Sequence, residues 1–287
     1  GLLDDLINQE YPYDKFEIII IDDRSYDSTP KILLDASENY SFIRTFRVDK
    51  ESKQMTPKKN AIDLGINESK GEIILATDAD CRVGPLWVAS MTYSLVNKNG
   101  ITIGFSEIDD LKNTLFESYQ KIDFLAILTA NAGAAGWGHY WSGTGQNLGY
   151  YKKDYFKIGG FEPVKNKISG DDMYLVQSIS NLNNGYIHID PNSFVRTKAM
   201  DSIKNFINQR ARWSSNSKEN YKGTPLFFSF LVVSFVENLL ILISMCFLGK
   251  GYFIWGFKAL LDSFVIILGA KLFERSFNIT TYFFWAI

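Results

Sequence analysis

A chain of 287 residues with a formal net charge of −2 has room for one large α/β domain and an appendage. It lacks the basic excess that a nucleic-acid footprint requires, so no nucleic-acid partner is expected. The two cysteines, Cys81 beside an acidic motif and Cys246 in an apolar run, do not suggest a disulfide framework and fit a reducing compartment.

In chain order, Gly1-Leu2-Leu3-Asp4-Asp5 reads as the inside of a helix. It has neither an initiator Met nor the basic start of a signal peptide, and the opening strand of an α/β domain is expected ahead of it. Phe16 to Ile21 is a β-rich run ending in Asp22-Asp23, Ser41 to Val48 a second strand, and Glu72 to Thr77 a third that ends in Asp78. Ile101 to Phe105 makes a fourth. Between them Thr29 to Asn39, Pro57 to Glu68 and Pro85 to Asn97 carry helical spacing, with Pro30, Pro57 and Pro85 near the first turn, where proline is tolerated. Short buried strands alternating with helices predict a mostly parallel sheet with crossover helices. In such sheets ligands bind beyond the carboxyl ends of the strands, where Asp22-Asp23 and Asp78-Ala79-Asp80 fall.

Farther along, Gly143-Thr144-Gly145-Gln146-Asn147-Leu148-Gly149-Tyr150 is glycine-rich without the spacing of a P-loop or dinucleotide fingerprint. Its glycines predict tight turns or close backbone approach to a ligand. Gly170-Asp171-Asp172 precedes a helical run from Tyr174 to Leu182, with one Asp as a natural N-cap and the other free to face a cleft. His139 and His188 are isolated, and no Cys/His spacing suggests zinc. Gln209-Arg210-Ala211-Arg212-Trp213 puts two guanidiniums, an amide and an indole on adjacent turns of one helix, a few residues before a long apolar run. That run, Leu226 to Leu248, and a second, Tyr252 to Phe273, are about long enough to span a bilayer, with Gly249-Lys250-Gly251 as the turn of a helical hairpin. Glu237, Lys258 and Asp262 are costly inside a membrane and are expected to pair between helices or face a protein interior. A pair of buried or interfacial helices in a soluble protein is the competing explanation.

The chemistry follows from the acidic motifs. Asp78 and Asp80 alternate just beyond a strand, and two hard oxygen ligands leave room on Mg²⁺ or Mn²⁺ for diphosphate oxygens and water. Asp22 and Asp23 are candidates to accept from a base N–H or a ribose hydroxyl. Lys58 and Lys59 open a helix where a cation can meet phosphate, although a solvated basic face is the commoner use of adjacent lysines. Asp172, or Asp171, is a candidate general base for an acceptor hydroxyl.

Taken together, Asp22-Asp23-x-Ser25-x-Asp27-x-Thr29, Lys58-x-x-Ala61, Asp78-x-Asp80, Asn147 with Gly159-Gly160-Phe161, Asp171-Asp172 and Gln209-Arg210-x-Arg212-Trp213 occur in the order seen in family-2 inverting glycosyltransferases. In particular the chain resembles the membrane-associated branch that includes cellulose, chitin and hyaluronan synthases. The resemblance covers the chain up to its apolar segments, and it rests on the ordered set because each motif is weak singly. It implies a GT-A fold over residues 1–222, followed by a membrane-associated helical region over 223–287. It further implies a nucleotide-sugar donor, usually UDP-linked, a divalent metal at Asp80 with Asp78, and a base at Asp172. Donor diphosphate or acceptor contacts would come from Gln209, Arg212 and Trp213. The acceptor would be a glycan or lipid-linked hydroxyl, with membrane lipid as a further partner and the catalytic domain on the cytoplasmic side of the cell membrane. Two departures stand out: Asp171-Asp172 replaces the usual Glu-Asp, and Tyr174 stands where an acidic residue often follows. The rival expectations are a sugar-phosphate nucleotidyltransferase and a catalytically silent membrane scaffold.

Overall fold

The computed structural model describes the chain apart from Lys53, Asp110, Leu111, Asn113, residues 216–223, residues 248–250, Asn278 and residues 286–287. The expected hairpin turn at Gly249-Lys250 and the expected domain boundary at 222/223 therefore lie outside the described residues. In chain order the elements are α1 (Leu2–Ile7), β1 (Ile18–Asp23), α2 (Thr29–Asn39), β2 (Ile43–Val48), α3 (Pro57–Glu68), β3 (Ile73–Ala76) and β4 (Arg82–Val83). There follow α4 (Trp87–Lys98), β5 (Ile101–Gly104), β6 (Ser106–Asp109), α5 (Leu115–Gly136), β7 (Leu148–Tyr151), α6 (Lys152–Lys157) and α7 (Asp171–Asn183). The last are β8 (Gly185–His188), β9 (Val195–Lys198), α8 (Ile203–Ser214), α9 (Pro225–Phe247), α10 (Gly251–Leu272) and α11 (Ile279–Trp285). The chain divides into two compact units, Gly1–Ser106 with Ser142–Val195, and Glu107–Trp141 with Arg196–Ile287.

In the first unit β1 and β2 pair in parallel, from Ile18 opposite Ile43 to Asp23 opposite Val48. A four-stranded sheet has the order β3-β7-β5-β8. There β5 and β8 run parallel while β7 opposes both β3 and β5, so the α/β sheet is mixed. β3, β5 and β8 still share one direction, which places their carboxyl ends together. α3 packs on one face of β1, where a Cβ on Gly65 would lie 3.4 Å from Ile21 Cγ1. Pro30 and Pro57 sit in the first turns of α2 and α3 as expected. Pro85 does not: α4 starts at Trp87, capped at Leu86, and Pro85 belongs to the preceding turn, its carbonyl accepting from Glu10 N at 2.7 Å. One core gathers Val83, Trp87, Val88, Met91 and Val195, and a second gathers Ile18, Ala36 and Ile43, with Leu6 of α1 packed against both.

The second unit is helical apart from most of β6 and β9, which pair with each other. α5 begins with a reciprocal cap in which Glu117 N donates to Thr114 Oγ1 at 3.1 Å and Thr114 N donates to Glu117 Oε2 at 3.3 Å. α10 and α11 pack on α5, and α9 packs on α10. The α5–α10 crossing is close because residue 269 is glycine: a Cβ there would fall 1.9 Å from Thr129 Oγ1. Pro225–Cys246 and Tyr252–Leu272 are long and apolar enough to cross a membrane, with mean hydropathies of 2.4 and 1.7. Lys258 and Asp262 pair with each other inside α10 rather than between helices, at the i, i+4 spacing that makes them neighbours on one face. Glu237 is exposed on α9.

Candidate active site

The candidate site of the first unit is a carboxylate cluster closed around one ammonium. Asp78 follows β3, and Asp171 and Asp172 open α7, which packs on β5 and β8. Lys58, in the first turn of α3, reaches between them: its Nζ lies 3.0 Å from Asp78 Oδ1 and 3.6 Å from Asp171 Oδ2. Burial opposes the charge of Lys58, but Asp78 and Asp171 outweigh it and hold the ammonium above its ordinary pKa. Lys59 does something different. It is fully buried, donates to the Lys167 carbonyl at 2.5 Å, and burial pushes its pKa down. Lys59 thus lies off any solvated face, whereas Lys58 is exposed but engaged by two carboxylates.

Neither Asp caps α7. The N-cap is Gly170 at φ +83°, a left-handed conformation glycine adopts without strain, and both carboxylates fall in the first helical turn. Asp172 accepts from Met173 N at 2.7 Å through Oδ1 and from Gly145 N at 3.2 Å through Oδ2. Enclosure from solvent, with the neighbouring charge of Asp171, raises its pKa to about 6 against the pull of those two bonds and of Lys58. The glycine-rich loop therefore approaches the site with its backbone: a Cβ on Gly145 would lie 3.6 Å from Lys58 Nζ and 3.7 Å from Asp172 Cβ.

Asp80 is exposed, and its Oδ1 takes a long contact from Cys81 Sγ at 3.7 Å. Among the described residues no three His, Cys, Asp or Glu side chains gather into a metal cage. Two carboxylates with Asp80 open to solvent nevertheless fit Mg²⁺ or Mn²⁺, which takes one or two protein carboxylates and fills its shell with substrate phosphate and water. Asp22 and Asp23 separate in role. The Asp22 carboxylate is buried, accepts from Ser25 N at 2.9 Å and is ion-paired with Arg47; burial raises its pKa, but the Ser25 hydrogen bonds and then Arg47 outweigh it and lower the value. Those bonds make it an anchor of the loop after β1. Asp23 is partly exposed and paired with Arg24 at 2.8 Å. Arg24 holds φ +61°, an uncommon conformation for a side-chain-bearing residue, and also reaches Glu51 at 3.5 Å.

Sequence reasoning gave Asn147 no role, and the structure gives it a structural one. Fully buried, it accepts from Trp87 Nε1 at 3.0 Å and donates to the Phe105 and Ser193 carbonyls, each at 2.8 Å. It fills the place a Cβ on Gly104 would need. A Ser/His/Asp trio also meets in space: Ser90 Oγ lies 2.8 Å from His188 Nε2 and donates to Asp190 Oδ2 at 2.5 Å. Because that hydroxyl gives its proton to the carboxylate, His188 is no base for it; burial also lowers the His188 pKa, and the trio ties α4 to the segment after β8.

In the second unit, α8 carries the Gln-Arg-x-Arg-Trp pentad. Arg210 is committed: it pairs with Asp123 of α5, and its guanidinium lies 4.6 Å from the Phe206 ring centroid and 4.2 Å from that of Trp213. One face of the indole is thereby used within the unit, while Trp213 remains 36% exposed. Gln209 Oε1 accepts from Arg210 Nη1 at 3.4 Å, and Arg212 is exposed.

The profile described as glycosyl transferase family 2 matches residues 1–168, more than half the chain. The chain belongs to this family. It is 27% identical over 217 residues to the probable glycosyltransferase YdaM of Bacillus subtilis (strain 168), covering 74% of this chain and 50% of that protein. It is 39% identical over 83 residues to a beta-monoglucosyldiacylglycerol synthase of Nostoc sp., covering 29% of this chain and 17% of that protein. The chain thus spans half or less of the length of these relatives. Among solved structures it is similar to a mannosyltransferase of Pyrobaculum calidifontis in complex with GDP-Man and Mn²⁺, with a TM-score of 0.60 at 17% identity over 99% of this chain and 77% of that one. These likenesses establish the GT-A fold.

Proposed function

We propose that the chain is the transfer domain of an inverting, metal-dependent glycosyltransferase. It moves a sugar from a nucleotide diphosphate sugar, in the first instance UDP-linked, to a hydroxyl on a glycan or lipid-linked acceptor at a membrane. The observation that carries this is Asp172. Its pKa of about 6 suits a general base at neutral pH, ionised yet a better proton acceptor than an ordinary carboxylate. Asp172 takes the acceptor proton as that oxygen attacks the anomeric carbon from the face opposite the leaving group. The bond from the anomeric carbon to the diphosphate oxygen breaks in the same displacement, and no covalent enzyme intermediate forms. A divalent cation bound by Asp80 and Asp78 would supply Lewis-acid stabilisation to the departing diphosphate. Lys58 stands beside that carboxylate pair as a further cation for phosphate, and Asp23 offers an acceptor edge to base or ribose. Exposed Arg212, with Gln209 and Trp213, serves substrate engagement, a role Arg210 cannot share while it is paired to Asp123.

Two apolar helices with most of their surface open support membrane attachment, and a relative named for a diacylglycerol glycolipid supports a lipid-linked acceptor. The catalytic domain then lies on the cytoplasmic side, where nucleotide sugars are made. The test is Asp172→Asn, which keeps the shape but cannot take the proton. Transfer should fall by about 10²–10⁴-fold with donor affinity near the parent's. Loss of donor binding in step with activity would instead move Asp172 to the donor subsite.

A further inference from the structure

We propose that Lys58 holds the place of the divalent cation in the donor-free enzyme, so that metal and nucleotide sugar enter together. This rests on the metal-dependent reading above and adds an order of events to it. The ammonium sits where a cation is needed, 3.0 Å from Asp78 Oδ1 and 3.6 Å from Asp171 Oδ2. Without it Asp78 and Asp171 would lose the cation that lies between them. While Lys58 engages Asp78, that carboxylate cannot give its full charge to a metal, and Asp80 alone is a weak ligand.

An arriving diphosphate changes the balance. Its oxygens supply both the missing metal ligands and a new partner for the ammonium. Lysine is suited to the exchange, being a compact point charge on a flexible four-carbon stem, and the Lys58 side chain is 47% exposed and so free to swing. Its neighbour Lys59, buried and bonded to the Lys167 carbonyl, holds this turn of α3 in place while the Lys58 side chain moves. Metal and nucleotide then bind with positive coupling, and by linkage each strengthens the other equally.

The experiment is Mn²⁺ binding to the full chain in detergent, read by the loss of the free-ion paramagnetic resonance signal, alone and with UDP or GDP. The parent should bind Mn²⁺ weakly alone and about 5–150-fold more tightly with nucleotide, the range typical of site-to-site coupling. Lys58→Met keeps the stem and removes the charge. It should bind Mn²⁺ alone about tenfold more tightly than the parent, with the enhancement by nucleotide correspondingly reduced. Asp80→Ala added to Lys58→Met should abolish the gain, which shows that the ion sits at the Asp-x-Asp pair. Mn²⁺ affinity that is unchanged or weakened in Lys58→Met, with unaltered melting behaviour, overturns the placeholder while leaving the metal reading intact. A parent chain that binds no Mn²⁺ with either nucleotide overturns both.

Discussion

Asp172→Asn should make the protein more stable as it makes it less active, and the pH dependence of that gain is the strictest test of the site. The folded-state pKa of Asp172 is raised from 3.8 to about 6 by enclosure and by Asp171. A displacement of about two units, at about 1.4 kcal/mol per unit, costs the folded state about 3 kcal/mol when the group is ionised. The sign runs one way. With the folded value above the unfolded one, the stability is fully present below pH 3.8 and is lost as pH rises through about 6. Asparagine is neutral at every pH, so parent and variant should melt together below pH 3.8, diverge as pH rises from there to about 6, and keep a constant gap above it. Part of the shift is the charge of Asp171, which can relax in the variant, so the gain at pH 7.5 should be about 1–3 kcal/mol. At about 2–4 °C per kcal/mol for a unit of this size, Tm should rise by about 2–12 °C. The assay is thermal melting of both proteins in one detergent at pH 4.5, 6 and 7.5, without metal or donor. A variant no more stable than the parent at pH 7.5, or a gap that does not change with pH, would mean that the carboxylate is ordinarily solvated. The argument for Asp172 as a tuned base would then fail.

Asn147→Ala should act on stability before activity. It leaves Trp87 Nε1 and the Phe105 and Ser193 carbonyls without their partner, for a loss of about 3 kcal/mol or more by chemical denaturation; a loss under about 1 kcal/mol would refute its role as a structural hub. The two arginines of α8 should part company. Arg210→Ala removes the Asp123 ion pair and two ring contacts and should lower Tm, whereas Arg212→Ala should leave Tm unchanged and reduce transfer; the reverse pattern would exchange their roles.

The parts of the fold legible in the sequence are those whose local pattern agrees with their burial. β1, β2, β3 and β5 are β-rich runs, and those of β1 and β3 run straight into acidic residues. β7 and β8 were not legible because neither holds a run of β-branched residues like those of β3 and β5: Leu148-Gly149-Tyr150-Tyr151 has none and Gly185-Tyr186-Ile187-His188 has only Ile187. β7 nonetheless decides the topology, since it is the strand that reverses direction. Its Gly149 is required by packing: a Cβ there would come within 2.8 Å of Leu95 Cδ1. The site divides in the same way. The acidic residues were legible as types at strand ends and at a helix start, which is local information. Which of them is free was not. Asp22 is paired with Arg47, 25 residues away, and Lys58 meets Asp78 across 20 residues; only the folded chain brings these charges together.

The charges in the apolar segments show how sequence cost and packing are reconciled. A lone charge in a spanning helix is expensive, and α10 carries two away from its ends, Lys258 and Asp262, besides Lys271 in its last turn. Lys258 and Asp262 close on each other within that helix, so it presents a neutral pair and needs no partner helix to compensate it. The pair also lowers the mean hydropathy of α10 to 1.7, against 2.4 for α9. Burial follows the same order, with 17% of the apolar stretch of α10 enclosed but only 6% of that of α9. It is α10, the less apolar helix, that packs on α5 through the Gly269–Thr129 crossing, while α9 packs on α10 with Phe235, Leu239 and Leu242 open. The more polar helix thus takes the inner position and the more apolar one the outer, the order expected where the surrounding medium is hydrocarbon. In water the same two helices would be expected in the opposite order, because the more apolar surface gains most from being covered.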